Sequence, residues 1–341
     1  MHESLEKLYR GEDLSLEASQ ALFELLLRGE MDPIVLSSLL TALKIKGESP
    51  SEIAGAASAL IAAAKPFPRP DYDFCDIVGT GGDGLHTINV STLSALVGAE
   101  CGIKVAKHGN RSVSSKTGSS DLLDKLGVRL DVSPELARRC LDEENVCFLF
   151  APHYHSAMRH AMPVRNALKT RTIFNVLGPL INPARPTYQL MGVYSPALVE
   201  PIAETLRQLG LTRGMVVHGA GLDEIAIHGV SQVAEICDGA IHPYSLSPAD
   251  FGLSEFPLAA IRGGEPEENR AISEAILAGR GSDAQNSAIA INLAPLLVMG
   301  GRVDDLKQGA ELVLATLASG KTLERVSRLA ALSHSEEQPT A

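Results

Sequence analysis

Four glycines among the six residues 79–84 form the most chemically suggestive stretch of this sequence. An apolar run over 74–78 precedes them, and a Thr-, Asn- and Ser-rich segment that becomes apolar at helical spacing follows. Because glycine permits positive φ and a close ligand, a strand, turn and helix of this kind can face a phosphate with their N–H groups. Gly79, Gly81 and Gly84 also fit the G-x-G-x-x-G pattern of dinucleotide sites, and a purely structural turn is a further alternative.

A second candidate site is the donor-rich segment KHGNRSVSSKTGSSD over 107–121. It follows a predicted strand, so it lies at the carboxyl end of that strand, where open α/β sheets bind ligands. Lys and Arg mixed with small hydroxyls suit an oxyanion-rich ligand, although a solvated Ser-rich loop has a similar composition. A dinucleotide fold places a ribose-binding carboxylate here, whereas this chain has Lys107-His108. The segment therefore disfavours NAD and leaves NADP as an alternative.

Two adjacent carboxylates, Asp223-Glu224, form the third candidate site. They follow a short apolar strand predicted over 215–218 and a glycine-containing loop. Mg²⁺ takes one or two carboxylates from a protein and leaves its other positions to water and substrate phosphate. Considered alone, the pair is equally well explained as an exposed acidic pair. Beside two phosphate-binding candidates, it predicts a magnesium site.

The elements that position these residues change character along the chain. Residues 1–66 show apolar positions at helical spacing and helix-start signals at Ser15, Asp32-Pro33 and Ser49-Pro50. Three prolines over 66–70 mark a boundary, after which predicted strands and helices alternate. We expect strands at 76–78, 103–106, 146–150, 215–218 and 232–236, and helices at 87–99, 119–126, 134–144 and 196–209.

This alternation predicts the α/β class, with a mostly parallel central sheet flanked by helices and a smaller all-helical N-terminal domain. The expected division is a helical domain over 1–68, joined by a helical segment near 160–190, and an α/β catalytic domain over 74–330. Amphipathic segments at 266–280, 282–298 and 303–318 close the α/β domain. Residues 333–341 are expected to form a disordered tail.

Composition excludes several classes of protein. The net charge of −11 argues against a general nucleic-acid surface, so an anionic ligand must meet a local basic site. No apolar run approaches the roughly 18 residues that a membrane span needs. The five cysteines are odd in number and contain no CxxC, which favours reduced thiols and a cytoplasmic location.

Taken together in this order and spacing, GTGGDG…TINVST, KHGNRSVSSKTGSSD and GLDE resemble the anthranilate phosphoribosyltransferase family. Residues 151–184, APHYHSAMRHAMPVRNALKTRTIFNVLGPLINPA, also match that family nearly throughout. The resemblance implies transfer of a phosphoribosyl group from phosphoribosyl pyrophosphate (PRPP) to anthranilate in tryptophan biosynthesis. It also implies Mg²⁺, with two ions per subunit, and a homodimer that binds neither nucleic acid nor membrane.

The resemblance also assigns roles to individual residues. It implies PRPP contacts from the glycine turn, the polar segment that follows it and the donor-rich segment: Gly79, Gly82, Asp83, Thr87, Asn89, Val90, Ser91, Thr92, Lys107, His108, Gly109, Asn110, Arg111, Ser112, Val113, Ser114, Ser115 and Ser119. It implies anthranilate contacts from Gly79, Asn110 and Arg165, with His108, His155 and Pro179 along the route of the aromatic substrate. Ser91 is expected to hold one Mg²⁺, and Asp223 with Glu224 a second. No side chain is assigned as a nucleophile. The chain departs slightly from the family pattern at Thr117, Ser120 and Ala226, which removes no charge and no proposed ligand.

Two alternatives remain within this fold. A pyrimidine-nucleoside-phosphorylase-like enzyme would carry Lys-His-Ser ahead of the glycine turn, where this chain has Cys75-Asp76-Ile77-Val78. A catalytically silent relative that binds nucleic acid would need a basic groove and could lose the acidic pair. The charge of −11 and the intact Asp223-Glu224 oppose it.

Overall fold

The computed structural model describes residues 1–111 and 118–335 of the 341-residue chain. It contains one seven-stranded, mostly parallel sheet with flanking helices, preceded by a helical N-terminal part. The fold class predicted from the sequence is therefore confirmed. Four residues of the predicted PRPP site, Ser112, Val113, Ser114 and Ser115, lie outside the described residues.

Four helices make up the N-terminal part of the chain. Side-chain oxygens of Ser15, Asp32 and Ser49 accept N–H groups at the starts of the second, third and fourth helices, as the sequence predicts. Ser49 and Glu52 form a reciprocal capping box. The helices are α1 (His2–Tyr9), α2 (Leu16–Leu27), α3 (Pro33–Lys46) and α4 (Pro50–Ala62).

The seven strands lie in the order β3-β2-β1-β4-β5-β6-β7. Strands β1 to β5 pair in parallel, and β6 and β7 continue the sheet in antiparallel register. Their bounds are β1 (Cys75–Gly79), β2 (Val105–Gly109), β3 (Val146–Phe150), β4 (Tyr188–Gly192), β5 (Arg213–Gly219), β6 (Ser231–Cys237) and β7 (Ala240–Leu246).

Three strand predictions need correction. Strand β2 begins at Val105 rather than 103, because the N–H of Ile103 bonds Gly98 O and closes the preceding helix. Strand β4 is missing from the prediction because it directly follows a Pro-rich stretch over 179–186 that carries loop signals. Strand β7 is also missing; it is a mostly exposed edge strand, so it lacks the apolar alternation that marks a half-buried strand.

Eleven further α-helices follow β1 in the described part of the chain. They are α5 (Val90–Glu100), α6 (Ser119–Lys125), α7 (Pro134–Glu144), α8 (Ala151–Tyr154), α9 (Met162–Leu168), α10 (Phe174–Leu177), α11 (Val199–Gln208), α12 (Pro266–Ala275), α13 (Asp283–Met299), α14 (Leu306–Ala318) and α15 (Lys321–Ser333). Within the described ranges, no helix combines the length and the apolar character that crossing a membrane requires.

Two helix boundaries and the start of the tail differ from the sequence-based prediction. Helix α5 begins at Val90 rather than 87, because Thr87 forms an isolated β-bridge with Arg262. A 3₁₀ turn over Pro196–Leu198 replaces the first residues of the helix predicted at 196–209. The predicted tail cannot start at 333, because Ser333 is the buried last residue of α15. Residues 336–341 lie outside the described part.

Two apolar clusters cover the two faces of the sheet. Successive strand residues point to opposite faces, so Leu190 belongs to one cluster and Met191 to the other. The Met191 cluster contains the cores of α1 to α4 together with Val164 of α9 and Phe174 of α10. The segment predicted to join the helical part therefore packs with it, while the division into domains stays a prediction.

The strand order creates a crevice at the carboxyl ends of the parallel strands. The chain leaves β1 toward β2 and β3 on one side, and returns to β4 and β5 on the other side. A reversal of this kind is the topological switch point at which open α/β sheets bind ligands. All three candidate segments from the sequence begin at this edge, after β1, β2 and β5.

Candidate active site

The acidic loop after β5 lies directly across the end of β1. The N–H of Gly81 donates to Asp223 Oδ2 at 2.5 Å. A Cβ atom at Gly79 would lie 2.3 Å from the same oxygen, and one at Gly192 would lie 1.6 Å from the Asp223 backbone oxygen. Glycine at the ends of both β1 and β4 is therefore what allows the acidic loop and the glycine turn to meet.

Negative charge accumulates at this junction. Burial raises the pKa of Asp223, and the neighbouring carboxylate of Asp83 raises it further. Burial also raises the pKa of Glu224, with Asp223 as the next cause and Lys107 opposing it. Each acid thus makes the ionised form of its neighbour less favourable. An additional cation would relieve this repulsion.

The donor chemistry at this junction fits a divalent cation such as Mg²⁺, which prefers carboxylate oxygens. Among the described residues, however, no three His, Cys, Asp or Glu side chains converge as a metal cluster. The protein therefore supplies only part of a coordination sphere, and a phosphate-bearing ligand would have to supply the rest.

Lys107 is the cation beneath the glycine turn. Its side chain, only 2% exposed on β2, donates from Nζ to Ile77 O at 2.6 Å and reaches Ser91 Oγ at 3.5 Å. Burial lowers the pKa of Lys107, and Asp76 and then Glu224 oppose that shift. A buried ammonium among these acids suits the binding of a polyanion.

Asp76 orders the strands below the site, and sequence analysis assigned it no role. Its Oδ2 accepts from Asn182 Nδ2 at 2.8 Å and from the N–H of His108 at 3.4 Å. Burial raises the pKa of Asp76 to about 6, and Lys107 opposes the shift. A charged residue inside a predicted buried strand was the available signal, because such residues are rarely buried without a partner.

The start of α5 joins the glycine turn to the acidic loop. Asn89 occupies the N-cap position, followed by Val90, and the backbone N–H of Ser91 is close enough to Glu224 to lower the pKa of that carboxyl. Thr92 is almost fully buried, and within the described residues its Oγ1 has no hydrogen-bond partner. The structure thus brings together the two sets of predicted metal ligands at a helix N-terminus, which favours anions.

Two buried histidines, one on β2 and one directly after α8, contact each other. The rings of His108 and His155 meet edge to face, with centroids 5.3 Å apart. His108 Nδ1 lies 3.2 Å from Gly178 O, and His155 Nε2 lies 2.9 Å from Ile181 O. Burial, with His155 as the next cause, lowers the pKa of His108 to about 3. The predicted aromatic route through His108, His155 and Pro179 is therefore uncharged near neutral pH.

The remaining predicted residues are more dispersed. Arg165 on α9 stacks on Phe174, with Cζ 4.9 Å from the ring centroid, and in the described chain no carboxylate lies within salt-bridge distance of it. Asn110 Oδ1 accepts the N–H of Arg111 at 2.7 Å, and Arg111 pairs with Asp121 at 3.4 Å.

Gly109 and Ser119 face each other across the donor-rich segment. A Cβ atom at Gly109 would lie 3.4 Å from the Ser119 Cβ and 3.0 Å from Phe148. Arg171 donates from Nη2 to Gly82 O at 2.5 Å; the sequence analysis gave it no role, although it lies inside the family-like segment 151–184.

Comparison with known proteins agrees with this arrangement. The family model described as "Glycosyl transferase family, a/b domain" matches residues 71–323, and the one described as "Glycosyl transferase family, helical bundle domain" matches residues 2–64. The chain is 74% identical over 333 residues to anthranilate phosphoribosyltransferase of Tolumonas auensis, covering 98% of this chain and 99% of the relative. The chain belongs to the anthranilate phosphoribosyltransferase family.

Solved structures of the family superpose over nearly the whole chain. The enzyme from Thermus thermophilus is 42% identical with a TM-score of 0.92, covering 97% of this chain and 99% of that one. The Saccharomyces cerevisiae enzyme, solved in complex with PRPP and Mg, is 28% identical with a TM-score of 0.89, covering 98% of both chains. These findings confirm the family predicted from the sequence and its phosphoribosyl-transfer activity.

Proposed function

We propose that this chain transfers the phosphoribosyl group of PRPP to the amine of anthranilate, as a step of tryptophan biosynthesis. The amine nitrogen forms a bond to C1 of the ribose, the C1–O bond breaks, and pyrophosphate leaves with the bonding pair. The amine loses a proton, for which we assign no acceptor side chain. The observation that carries the proposal is the meeting of the glycine turn, Lys107 and Asp223-Glu224 at one sheet edge.

The donor would occupy the edge formed by the glycine turn and α5. The Thr92 hydroxyl and the N-terminal N–H groups of α5 provide donors for phosphate oxygens, and Lys107 lies below them as a buried cation. Breaking C1–O develops oxocarbenium character, and the leaving group is a polyanion. The protein must therefore mainly supply positive charge that stabilises the leaving group.

Mg²⁺ is the cofactor that we propose, with two ions per subunit. Ser91 would hold one ion, and Asp223 with Glu224 the other; the yeast relative solved with PRPP and Mg supports this use. Held by these residues, Mg²⁺ would supply positive charge against the leaving pyrophosphate. The protein contributes the carboxylates, whose pKa values are raised first by burial and then by the neighbouring acids.

Anthranilate would approach from the side of α9 and the histidine pair. We propose that the guanidinium of Arg165 binds its carboxylate, with Asn110 and Gly79 nearby, and that His108, His155 and Pro179 line its route. Arg165 is half-buried and stacked on Phe174, so its planar group is held in place. Neutral imidazoles suit an aromatic ring better than charged ones. The yeast relative has also been solved with 4-fluoroanthranilate.

We further propose a homodimer in the cytoplasm. Ile34 and Ile45 lie on one face of α3 and are 80% and 81% exposed. They border an apolar groove of about 800 Å³ between α1, α3 and α9. Contiguous exposed apolar surface of this kind marks an interaction site. The five unpaired cysteines are consistent with a reducing compartment.

The proposed reaction is tested by the loss of anthranilate fluorescence with PRPP and Mg²⁺. We expect anthranilate to be consumed only when both are present, and EDTA to stop the reaction reversibly. A stable anthranilate signal with saturating PRPP and Mg²⁺ would contradict the proposal. Phosphorolysis of a pyrimidine nucleoside in the same preparation would favour the nucleoside phosphorylase alternative instead.

A further inference from the structure

An arginine to which the sequence analysis gave no role connects the helical part of the chain to the glycine turn. Arg171 lies between α9 and α10, and its backbone is held from the helical side. Lys44 of α3 donates from Nζ to Arg171 O at 2.9 Å and to Thr170 Oγ1 at 2.5 Å. The N–H of Thr172 donates to Asn175 Oδ1 at 2.9 Å. The residue is therefore fixed at its backbone although its side chain is exposed.

The side chain of Arg171 reaches the glycine turn by two contacts. Its Nη2 donates to Gly82 O at 2.5 Å, and its Cζ lies 4.3 Å above the ring centroid of Tyr194. Tyr194 is tied to the same turn, because its N–H donates to Thr80 Oγ1 at 3.0 Å. The N–H of Thr80 in turn donates to Gly192 O at 3.0 Å. Arg171 and Tyr194 thus both form hydrogen bonds with the turn.

The turn itself has little internal support. Residues 80–86 contain no helix or strand, and Gly82 has φ +82°. A side chain at Gly82 would be strained, and its Cβ would lie 3.3 Å from Arg171 Nη2. The other hydrogen bonds of the turn include those of Thr80, Gly81 N–H to Asp223, Leu85 N–H to Asp83 Oδ1, and Gly263 N–H to His86 O. Among the described residues, the Arg171 bond is the one hydrogen bond that holds the Gly82 carbonyl.

Holding the Gly82 carbonyl also orients a donor. The Gly82–Asp83 peptide bond is trans, so its C=O and N–H point in opposite directions. With the carbonyl turned toward Arg171, the N–H of Asp83 points away from it, and among the described residues no acceptor takes that N–H. A free backbone N–H beside two acids and a helix N-terminus is the kind of group that binds phosphate.

We infer that Arg171 is a positioning residue that clamps the glycine turn through Gly82 O, so that the turn is preorganised for the pyrophosphate of PRPP. This inference rests on the proposed function, because it assigns the turn to that substrate. Arg171 acts on binding of the phosphoribosyl donor and has no role toward anthranilate. Lysine at this position keeps the charge and loses the planar fork, so it retains part of the effect.

The test compares Arg171→Ala, Arg171→Lys and the matched control Arg280→Ala, which removes an exposed arginine elsewhere. Loss of one charge-assisted hydrogen bond predicts that Arg171→Ala raises KM for PRPP about tenfold, with kcat and KM for anthranilate nearly unchanged. We expect Arg171→Lys to fall between wild type and Arg171→Ala, and Arg280→Ala to match wild type. Equal rises in both KM values, or none, would overturn the inference.

A second readout separates this inference from the proposed function. Hydrogen–deuterium exchange of the peptide covering residues 80–86 needs no turnover, and Arg171→Ala should exchange there faster than wild type and Arg280→Ala. Unchanged exchange would overturn the clamp even in an active enzyme. If wild type lacks transferase activity while exchange still accelerates in Arg171→Ala, the proposed function fails and the clamp on the turn stands.

Discussion

Two regions of this molecule bury charged side chains, and they balance them differently. In the helical part, Lys46 Nζ lies 2.9 Å from Glu52 Oε2 and 2.6 Å from Asp13 Oδ1. The carboxylate of Glu52 also accepts the N–H groups of Leu14 and Ser49 at 2.9 and 2.8 Å. Every charge in this cluster therefore meets an opposite charge or a hydrogen-bond donor.

The sheet edge lacks this balance. Asp83, Asp223 and Glu224 repel one another, and the nearby Lys107 donates its closest hydrogen bond to a backbone oxygen rather than to an acid. Burying charge without compensation costs stability, so such an arrangement persists where a ligand completes it. The balanced cluster holds the fold together, whereas the unbalanced one is prepared for a cation and a polyanion.

Neutralising the acids of the sheet edge should have the largest effect on activity. Asp223→Asn combined with Glu224→Gln should lower kcat/KM by roughly 10³-fold, because charge at the leaving group supplies most of the catalysis. Removing buried repulsion should leave the free energy of unfolding unchanged or higher. The fluorescence assay and a urea titration measure both quantities. A well-folded double variant with wild-type activity would refute the role of the acids.

A second variant removes the lysine from the balanced cluster of Lys46, Asp13 and Glu52. Lys46→Met leaves Glu52, which is fully buried, without its counter-ion and should lower the free energy of unfolding by about 3 kcal/mol. Activity per folded molecule should not change. Asp13→Asn serves as the control, because the Asp13 carboxylate is 66% exposed and its loss should cost less than about 1 kcal/mol. Reduced kcat in folded Lys46→Met would show that the two regions are not separable.

Two arginines differ in the same way. Arg325 is paired with Glu100 at 2.6 Å and Glu144 at 3.5 Å, whereas the guanidinium of Arg165 stacks on Phe174 and has no described carboxylate within salt-bridge distance. Arg165→Ala should raise KM for anthranilate by roughly 10- to 100-fold, since a charge-assisted bond contributes about 1.5–3 kcal/mol. KM for PRPP should change far less. Steady-state kinetics with each substrate varied will show this split, and equal effects on both would exclude the assigned role.

The smallest expected effect concerns pH. Burial and Asp83 raise the pKa of Asp223 from 3.8 to about 6, so the folded protein holds this proton more tightly than the unfolded chain. Its stabilising contribution is therefore present below about pH 4 and is lost as pH rises through about 6. The raised pKa of Asp76 affects the pH dependence of stability in the same direction. Subtracting the pH profile of Asp223→Asn, measured by urea titration, isolates the Asp223 share; identical profiles would contradict the shift.

Local sequence patterns predicted the parts of the site that depend on local chemistry. The glycine turn, Lys107 and Asp223-Glu224 each follow a strand, and a parallel sheet brings such strand ends together. The caps at Ser15, Asp32 and Ser49 were likewise readable, because a cap needs only neighbouring residues. Family resemblance added Arg165 and the histidine pair, which no local pattern marks.

Long-range packing decided what the sequence could not predict. Arg171 meets Gly82 across 89 residues of chain, and Asn182 meets Asp76 across 106. Whether Lys107 is paired or merely buried depends on the depth of β2 in the sheet, which composition does not reveal. Strand β2 begins two residues later than predicted because Gly98 O accepts the N–H of Ile103. Strand propensity carries no information about that contact.

In the proposed site, the sheet-edge carboxylates are completed by a metal ion held with the leaving group. The most direct test is the thermal unfolding midpoint near neutral pH during a Mg²⁺ titration in the presence of inorganic pyrophosphate. We predict that Mg²⁺ raises the midpoint of the wild-type protein, and that Asp223→Asn with Glu224→Gln abolishes the rise. Equal Mg²⁺-dependent rises in both proteins, or none in wild type, would contradict the account.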